Sequence, residues 1–314
     1  MAAFPPGFRI GHWTDAKRRT GCTSILPPPG TTAAVDVRGG APGTREAGVF
    51  TPGNLVSEIH GLLFTGGSAF GLAAAAGVTT YLKKLGVGYR VGPARVPIVA
   101  AAVLFDLAVG DPDAYPGEPE GVAACESARE GEVETGAVGA GTGATVGKLF
   151  GVERAARGGI GCAELRLAGG ETVAALAAVN AFGDVVDAET GARLAGPSGE
   201  PDGFRTARAL WQDPLRDRPG SGGHTTLVCV ATSVPLDRSA LHRVAIEAHD
   251  GIARAVRPAH TAVDGDVVFA LAPEGSPAAL PRRLQIGAAA AEATARAIMD
   301  AVRERSAGSG EAPR

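Results

Sequence analysis

Two kinds of apolar pattern run along this chain. In residues 98–107, 173–180, 227–231 and 267–271 apolar side chains fill consecutive positions, which predicts strands in sheets covered on both faces. In residues 237–256 the apolar positions Leu241, Val244, Ala245, Ala248 and Ile252 instead share one helical face, and Asp237 ahead of them is a suitable N-cap. A second helix is expected over residues 71–85, an Ala-rich stretch that closes on Lys83 and Lys84 with Gly86 just beyond. A third runs from about residue 284 to 303. Gly and Pro punctuate these elements densely, so tight turns and small-residue packing should dominate. Residues 184–223 are polar and rich in Gly, Pro and Arg, and predict a long mobile loop; the tail 306–314 is expected to be disordered. No internal repeat is visible.

Composition narrows the class. With 314 residues, 45% of them apolar, the chain can fill one large or two modest domains and should fold independently. Its 30 basic and 33 acidic residues are spread evenly and include no basic run, which argues against nucleic acid or an anionic membrane surface as partner. Cys22, Cys125, Cys162 and Cys229 are far apart, and residues 1–8 lack a basic segment followed by an apolar one. A cytoplasmic protein with reduced thiols is therefore expected. Gly, Pro or charge breaks every apolar stretch before it could span a bilayer.

The candidate chemistry begins at Gly220-Ser221-Gly222-Gly223-His224-Thr225-Thr226, a glycine-rich loop that delivers hydroxyl residues to the mouth of the 227–231 strand. If the backbone is cut between His224 and Thr225, Thr225 gains a free α-amine beside its hydroxyl and carries its own general base. Equally, the segment can be a plain loop entering a core strand whose Thr residues favour β structure. Asp264-Gly265-Asp266 precedes the 267–271 strand. Carboxylates two apart on extended backbone share a side, although the same tripeptide also suits a solvated turn or a cation site. Asn180 closes another strand and offers an amide N–H to a developing oxyanion, with Lys148 as a nearby positive charge.

Other motifs fail. Residues 141–148 approach a phosphate-binding loop but have Thr142 in place of Gly and Leu149 in place of Ser or Thr. Around Ser68 the hydrolase elbow lacks its second glycine, where Phe70 stands, so Ser68 reads as part of a turn that starts the Ala-rich helix. The six His residues form no pair at zinc-ligand spacing, and no metal or other cofactor is expected.

Taken together and in order, Gly66-Gly67-Ser68-Ala69-Phe70-Gly71-Leu72, Val179-Asn180-Ala181-Phe182-Gly183, Thr225-Thr226-Leu227 through Thr232, and Arg257-Pro258-Ala259-His260-Thr261 through Asp266 resemble the self-cleaving aminopeptidase and amidase family. That family includes D-aminopeptidase/esterase and β-peptidyl aminopeptidases, and the likeness is strongest to its nylon-oligomer endo-hydrolase branch. The resemblance implies a four-layer αββα sandwich of the N-terminal-nucleophile type. It implies autocleavage between His224 and Thr225 of a single domain, 1–314, into fragments 1–224 and 225–314, with small peptide or amide substrates and a homotetramer of processed protomers. By the same resemblance Thr225 is the nucleophile, Asp264 and Asp266 hold and polarise it, Asn180 is the oxyanion donor and Lys148 matches a lysine of the nylon-hydrolase branch. Two residues depart: His224 stands where Asn or Gly is usual before the cut, and Phe105 stands at a substrate-binding Tyr position. An acyltransferase of the ornithine acetyltransferase type and an unprocessed, non-catalytic scaffold remain alternatives.

Overall fold

The computed structural model describes residues 2–201, 205–212 and 223–303. Its principal elements, in chain order, are β1 (Arg9–Asp15), β2 (Thr20–Leu26), β3 (Thr31–Val37), β4 (Thr44–Arg45), β5 (Gly61–Thr65), α1 (Ala74–Lys84), β6 (Val99–Val103), α2 (Glu118–Glu126), β7 (Gly159–Arg166), β8 (Thr172–Asn180), β9 (Thr225–Thr232), α3 (Arg238–Ala255), β10 (Val267–Pro273) and α4 (Leu280–Ala301). They form two five-stranded sheets, ordered β1-β2-β5-β6-β4 and β7-β8-β9-β10-β3. Each sheet is antiparallel except for one parallel pair, β5 with β6 and β9 with β10. Both parallel pairs are bridged by a helix, α1 and α3, as a parallel crossover requires.

The consecutive apolar runs have a physical use in this arrangement, because successive side chains of a strand point to opposite faces. Along β8, Val173, Ala175, Ala177 and Val179 pack in one cluster with Leu241, Val244 and Ile252 of α3 and Ile286 and Ile298 of α4. The intervening Ala174, Leu176 and Ala178 join Phe64, Leu104 and Phe269 between the two sheets. On the far side, Leu63 and Ala101 of the first sheet pack under Val78, Leu82 and Ala124 of α1 and α2. The result is the four-layer αββα sandwich.

Where the structure departs from the sequence pattern, local chemistry explains it. Strand 98–107 narrows to β6, and the chain leaves the sheet after Leu104, whose N–H still donates to Thr65 O at 2.9 Å. The last helix begins at Leu280, earlier than expected, because Pro281 suits the first turn, where its missing N–H leaves nothing unpaired. The expected loop over 184–223 is corrected in part: Asp184–Val186 and Arg193–Ala195 are strands and Thr206–Gln212 is helical. Its anchor is Asp184, a buried carboxylate that accepts Thr206 N–H and Oγ1–H, each at 2.7 Å. The rest of that prediction, at 202–204 and 213–222, lies outside the described residues, as does the tail 306–314.

Candidate active site

The site forms where strand ends of the second sheet meet. Antiparallel pairing of β8 with β9 sets Asn180, the last residue of β8, opposite Thr225, the first of β9. Parallel pairing of β9 with β10 aligns Leu227 with Val267, so the residues just before β10 lie beside the start of β9, and His224 bridges Asp264 directly. Residues distant in sequence are thus brought together by register alone. Lys148 arrives along the extension of β8, where its N–H donates to Phe182 O at 3.0 Å. Phe105 comes from the other sheet, just past β6, so the site lies at the seam between the two sheets.

Around the peptide bond between His224 and Thr225 the contacts are close. Thr225 Oγ1–H donates to His224 O at 2.5 Å, and the same carbonyl oxygen accepts Gly265 N–H at 2.7 Å. One residue earlier, Gly223 O accepts Asn180 Nδ2–H at 3.1 Å and Lys148 Nζ at 3.4 Å. Asn180 Nδ2 also donates to Phe105 O at 3.0 Å, while Asn180 Oδ1 accepts Thr145 N–H at 3.0 Å and Lys148 Nζ at 2.7 Å. Asn180 therefore holds the carbonyl of Gly223, and the carbonyl of His224 is held by the Gly265 N–H and the Thr225 hydroxyl. Gly223 has φ of 119°, and a methyl group there would lie 2.7 Å from Phe105 Cδ1, so the Phe105 ring admits only glycine at that step.

The two carboxylates have separate partners. Asp266 Oδ1 accepts Thr226 N–H at 2.6 Å, and its Oδ2 accepts His260 N–H at 3.0 Å and His260 Nδ1 at 2.7 Å. Asp264 Oδ2 accepts Thr261 N–H at 3.1 Å and Thr261 Oγ1–H at 2.5 Å, and its Oδ1 accepts Phe182 N–H at 3.2 Å. Asp266 thereby fixes the start of β9, whereas Asp264 ties the turn before β10 to the end of β8. The hydrogen bond of the Thr225 hydroxyl runs to His224 O, and the carboxylates act on its surroundings.

Burial dominates the electrostatics. Thr225, Asn180, Lys148, His224, Asp264 and Asp266 are all buried. Burial, and next the charge of Asp266, push the Asp264 carboxyl up to about 6. Burial pulls the Lys148 ammonium down to about 7, against the opposing pull of Asp264 and Asp106. Lys148 is thus a group that can hold or release a proton near neutrality, where the sequence suggested a fixed charge. Asp106, also buried and raised to about 6 by burial, accepts Gly67 N–H at 2.7 Å. Among the described residues there is no group of three or more His, Cys, Asp or Glu that could hold a metal ion.

Sequence reasoning missed four contributors: His260, Thr261, Gly265 and Asp106. A signal existed for one of them, since Thr261-x-x-Asp264 has the spacing by which a hydroxyl residue and a carboxylate close a turn on each other. Gly265 and His260 act partly through backbone N–H groups, which carry no side-chain signature. Ser68, set aside as a nucleophile, sits in a glycine turn with φ of 53°, its N–H on Leu104 O at 2.9 Å, and opens a short helical turn ahead of α1.

Comparison with known proteins agrees with this geometry. The profile of peptidase family S58 matches residues 6–312. An uncharacterized aminopeptidase of Mycobacterium tuberculosis is 43% identical, the match covering 94% of this chain and 91% of the relative. The 6-aminohexanoate-oligomer endohydrolase of Paenarthrobacter ureafaciens is 32% identical over 95% of this chain and 84% of its own length. Among solved structures, the L-aminopeptidase D-Ala-esterase/amidase of Ochrobactrum anthropi, described as a variant of the Ntn hydrolase fold, superposes with a TM-score of 0.72 at 19% identity, covering 96% of this chain and 86% of that one. With the profile running almost from end to end and the two sheets stacked as in the Ntn hydrolase variant, the chain belongs to peptidase family S58.

Proposed function

We propose that this protein is an amide-bond hydrolase that matures by cutting itself between His224 and Thr225 and then uses Thr225 as an N-terminal nucleophile. One observation carries the proposal: the His224 carbonyl is held between the Thr225 hydroxyl at 2.5 Å and the Gly265 N–H at 2.7 Å. A nucleophile and a backbone donor converge on one carbonyl, the arrangement that acyl transfer requires.

In maturation Thr225 Oγ1 adds to the His224 carbonyl carbon, and charge developing on its oxygen is met by Gly265 N–H. The C–N bond then breaks, the nitrogen takes the proton and becomes the α-amine of Thr225, and water hydrolyses the remaining ester to free the His224 carboxylate. Departure of residues 223 and 224 releases Gly265 N–H, Asn180 Nδ2–H and Lys148 Nζ from the carbonyls they hold in the uncut chain. A substrate amide enters the vacated cradle, so the segment before the cut acts as the first substrate. Thr225 Oγ1 attacks that amide, and its α-amine accepts the proton and delivers it to the leaving amine; water then hydrolyses the ester on Thr225, releasing the acid product and restoring the hydroxyl.

The same proposal takes small peptides or other linear amides as substrates. It places a tetramer of processed protomers in the cytoplasm, in keeping with four buried free cysteines and with no helix, among the described residues, long and apolar enough to cross a membrane. The test is substitution of the nucleophile. Thr225→Ala should fold, remain whole and lack hydrolase activity, while Thr225→Ser should retain part of both activities because it keeps the hydroxyl. Processing or turnover by Thr225→Ala would remove Thr225 from the mechanism.

A further inference from the structure

We infer that His260 is a positioning residue of this site, which holds the Asp266 carboxylate with two donors and through it sets the start of the strand that carries Thr225. The inference rests on the proposed role of Thr225 and extends it to a residue outside the reacting groups.

The geometry is specific. His260 is a non-glycine residue in the left-handed region, with φ of 54°. Such a backbone is uncommon outside glycine and persists where the surroundings fix it. Here it aims the backbone N–H and the ring Nδ1 of one residue at a single oxygen, Asp266 Oδ2, at 3.0 and 2.7 Å. The other oxygen, Oδ1, takes Thr226 N–H at 2.6 Å. Asp266 is thus a clamp with His260 on one side and the neighbour of the nucleophile on the other, and a carboxylate can only accept, so the His260 proton resides on Nδ1. Nε2 of His260 is buried and has no hydrogen-bond partner among the described residues. The next ring is His249, edge-on to His260 at 4.7 Å between centroids, and burial pulls His249 down to about 4. His249 Nε2 in turn donates to Asp36 O at 3.1 Å, which fixes its own tautomer and seats the ring against which His260 packs.

The function of such a clamp is electrostatic as well as geometric. Asp264, two residues away, is a second buried carboxylate, raised by burial and next by the charge of Asp266. The hydrogen bond from His260 Nδ1 to Asp266 Oδ2, at 2.7 Å, is of the strong kind made to a carboxylate. The charged and titratable groups around the pair come from several elements: Asp264 and His224 beside it, Lys148 within reach of the charges of Asp264 and Asp106, His249 on α3, and Asp36 and Arg38 at the end of β3. Arg38 donates its backbone N–H to Asp266 O at 3.0 Å and directs its guanidinium at Asp36, which leaves His260 as the side chain that donates to the carboxylate.

Removing the ring should therefore both slow the reaction and shift its acid limb. His260→Gly keeps the left-handed backbone and its N–H, and deletes only the ring; His260→Asn tolerates the same φ and restores a side-chain N–H close to the Nδ1 position. Precursor loss, followed by intact mass against pH from refolded full-length chain, should be at least about tenfold slower for His260→Gly, as loss of a hydrogen bond to a charged group implies. The acid limb of that variant should lie at higher pH, and His260→Asn should recover rate and limb together. Nitrogen-15 spectra of the intact wild-type protein supply a readout that needs no variant, and should place the His260 proton on Nδ1. A His260→Gly protein that is cut at the wild-type rate with an unmoved limb, or a wild-type ring protonated on Nε2 alone, overturns the positioning role. A wild-type chain that stays whole at every pH overturns the Thr225 reading itself, and the positioning role with it.

Discussion

The residue with the most leverage on the site is Asp264, because its environment works against its charge. Burial and Asp266 raise its carboxyl to about 6, while Thr261 and the Phe182 N–H, all donors, favour the ionised form. The sign of the pH effect follows from a folded value above the unfolded one. The stability contributed by the protonated form is complete below about pH 4 and is lost as pH rises through about 6. Asp106 shifts in the same direction, so the test is a difference: between pH 4 and 6 denaturant unfolding should show wild type losing stability relative to Asp264→Asn as pH rises. The same variant should slow the cut between His224 and Thr225 by roughly a hundredfold or more, and with Asp266→Asn the losses should be far from additive, since both residues fix one turn. Parallel stability curves, or fully additive rates, would contradict this account of the pair. The sequence pointed to Thr225, Asn180, Lys148, Asp264 and Asp266 because each carries its chemistry in its side chain. Gly265 and His260 were illegible because what they contribute depends on where a backbone N–H points, and that direction is set by β9–β10 register and a left-handed turn.

At the scale of elements, legibility followed side-chain bulk. The runs that became β8, β9 and β10 are apolar at consecutive positions, and α3 displays its face at helical spacing, so the three central strands of the second sheet and its helical cover were readable. The strands β1, β2 and β7 were not, because they contain glycines that read as turns. Gly161 in β7 illustrates the reason: a methyl group there would lie 1.9 Å from Ala297 O and 2.5 Å from Ala301 N, both backbone atoms of the α4 region. Glycine at this strand position lets helix and sheet approach closely, a use that local sequence does not distinguish from a bend. Gly161→Ala should accordingly push α4 off the sheet and destabilise the fold by about 1–3 kcal/mol, measured as a lower denaturant midpoint at unchanged slope. An unchanged midpoint would show that the helix shifts without cost.

For the whole molecule, the order of the second sheet has a consequence for maturation. Its strands run β7-β8-β9-β10-β3, with β9 and β10 after the proposed cut and their outer neighbours β8 and β3 before it. Cutting between His224 and Thr225 therefore leaves every ladder in the sheet intact, and the two products remain joined through a shared core rather than separating as independent units. The family resemblance implied the layers and a core shared by both fragments, but not the strand order that produces the sharing, because strand order is a property of long-range pairing that no local pattern encodes. By the proposed mechanism this interleaved chain cuts itself at one bond, between His224 and Thr225. The most direct test of that cut is the intact mass of the purified protein under denaturing conditions, with the N-terminus of the smaller species sequenced. The account predicts two chains that co-purify when folded, the smaller beginning at Thr225, with masses that sum to the full chain plus one water. Full-length protein alone after prolonged incubation, or a new N-terminus at any residue other than Thr225, would contradict it.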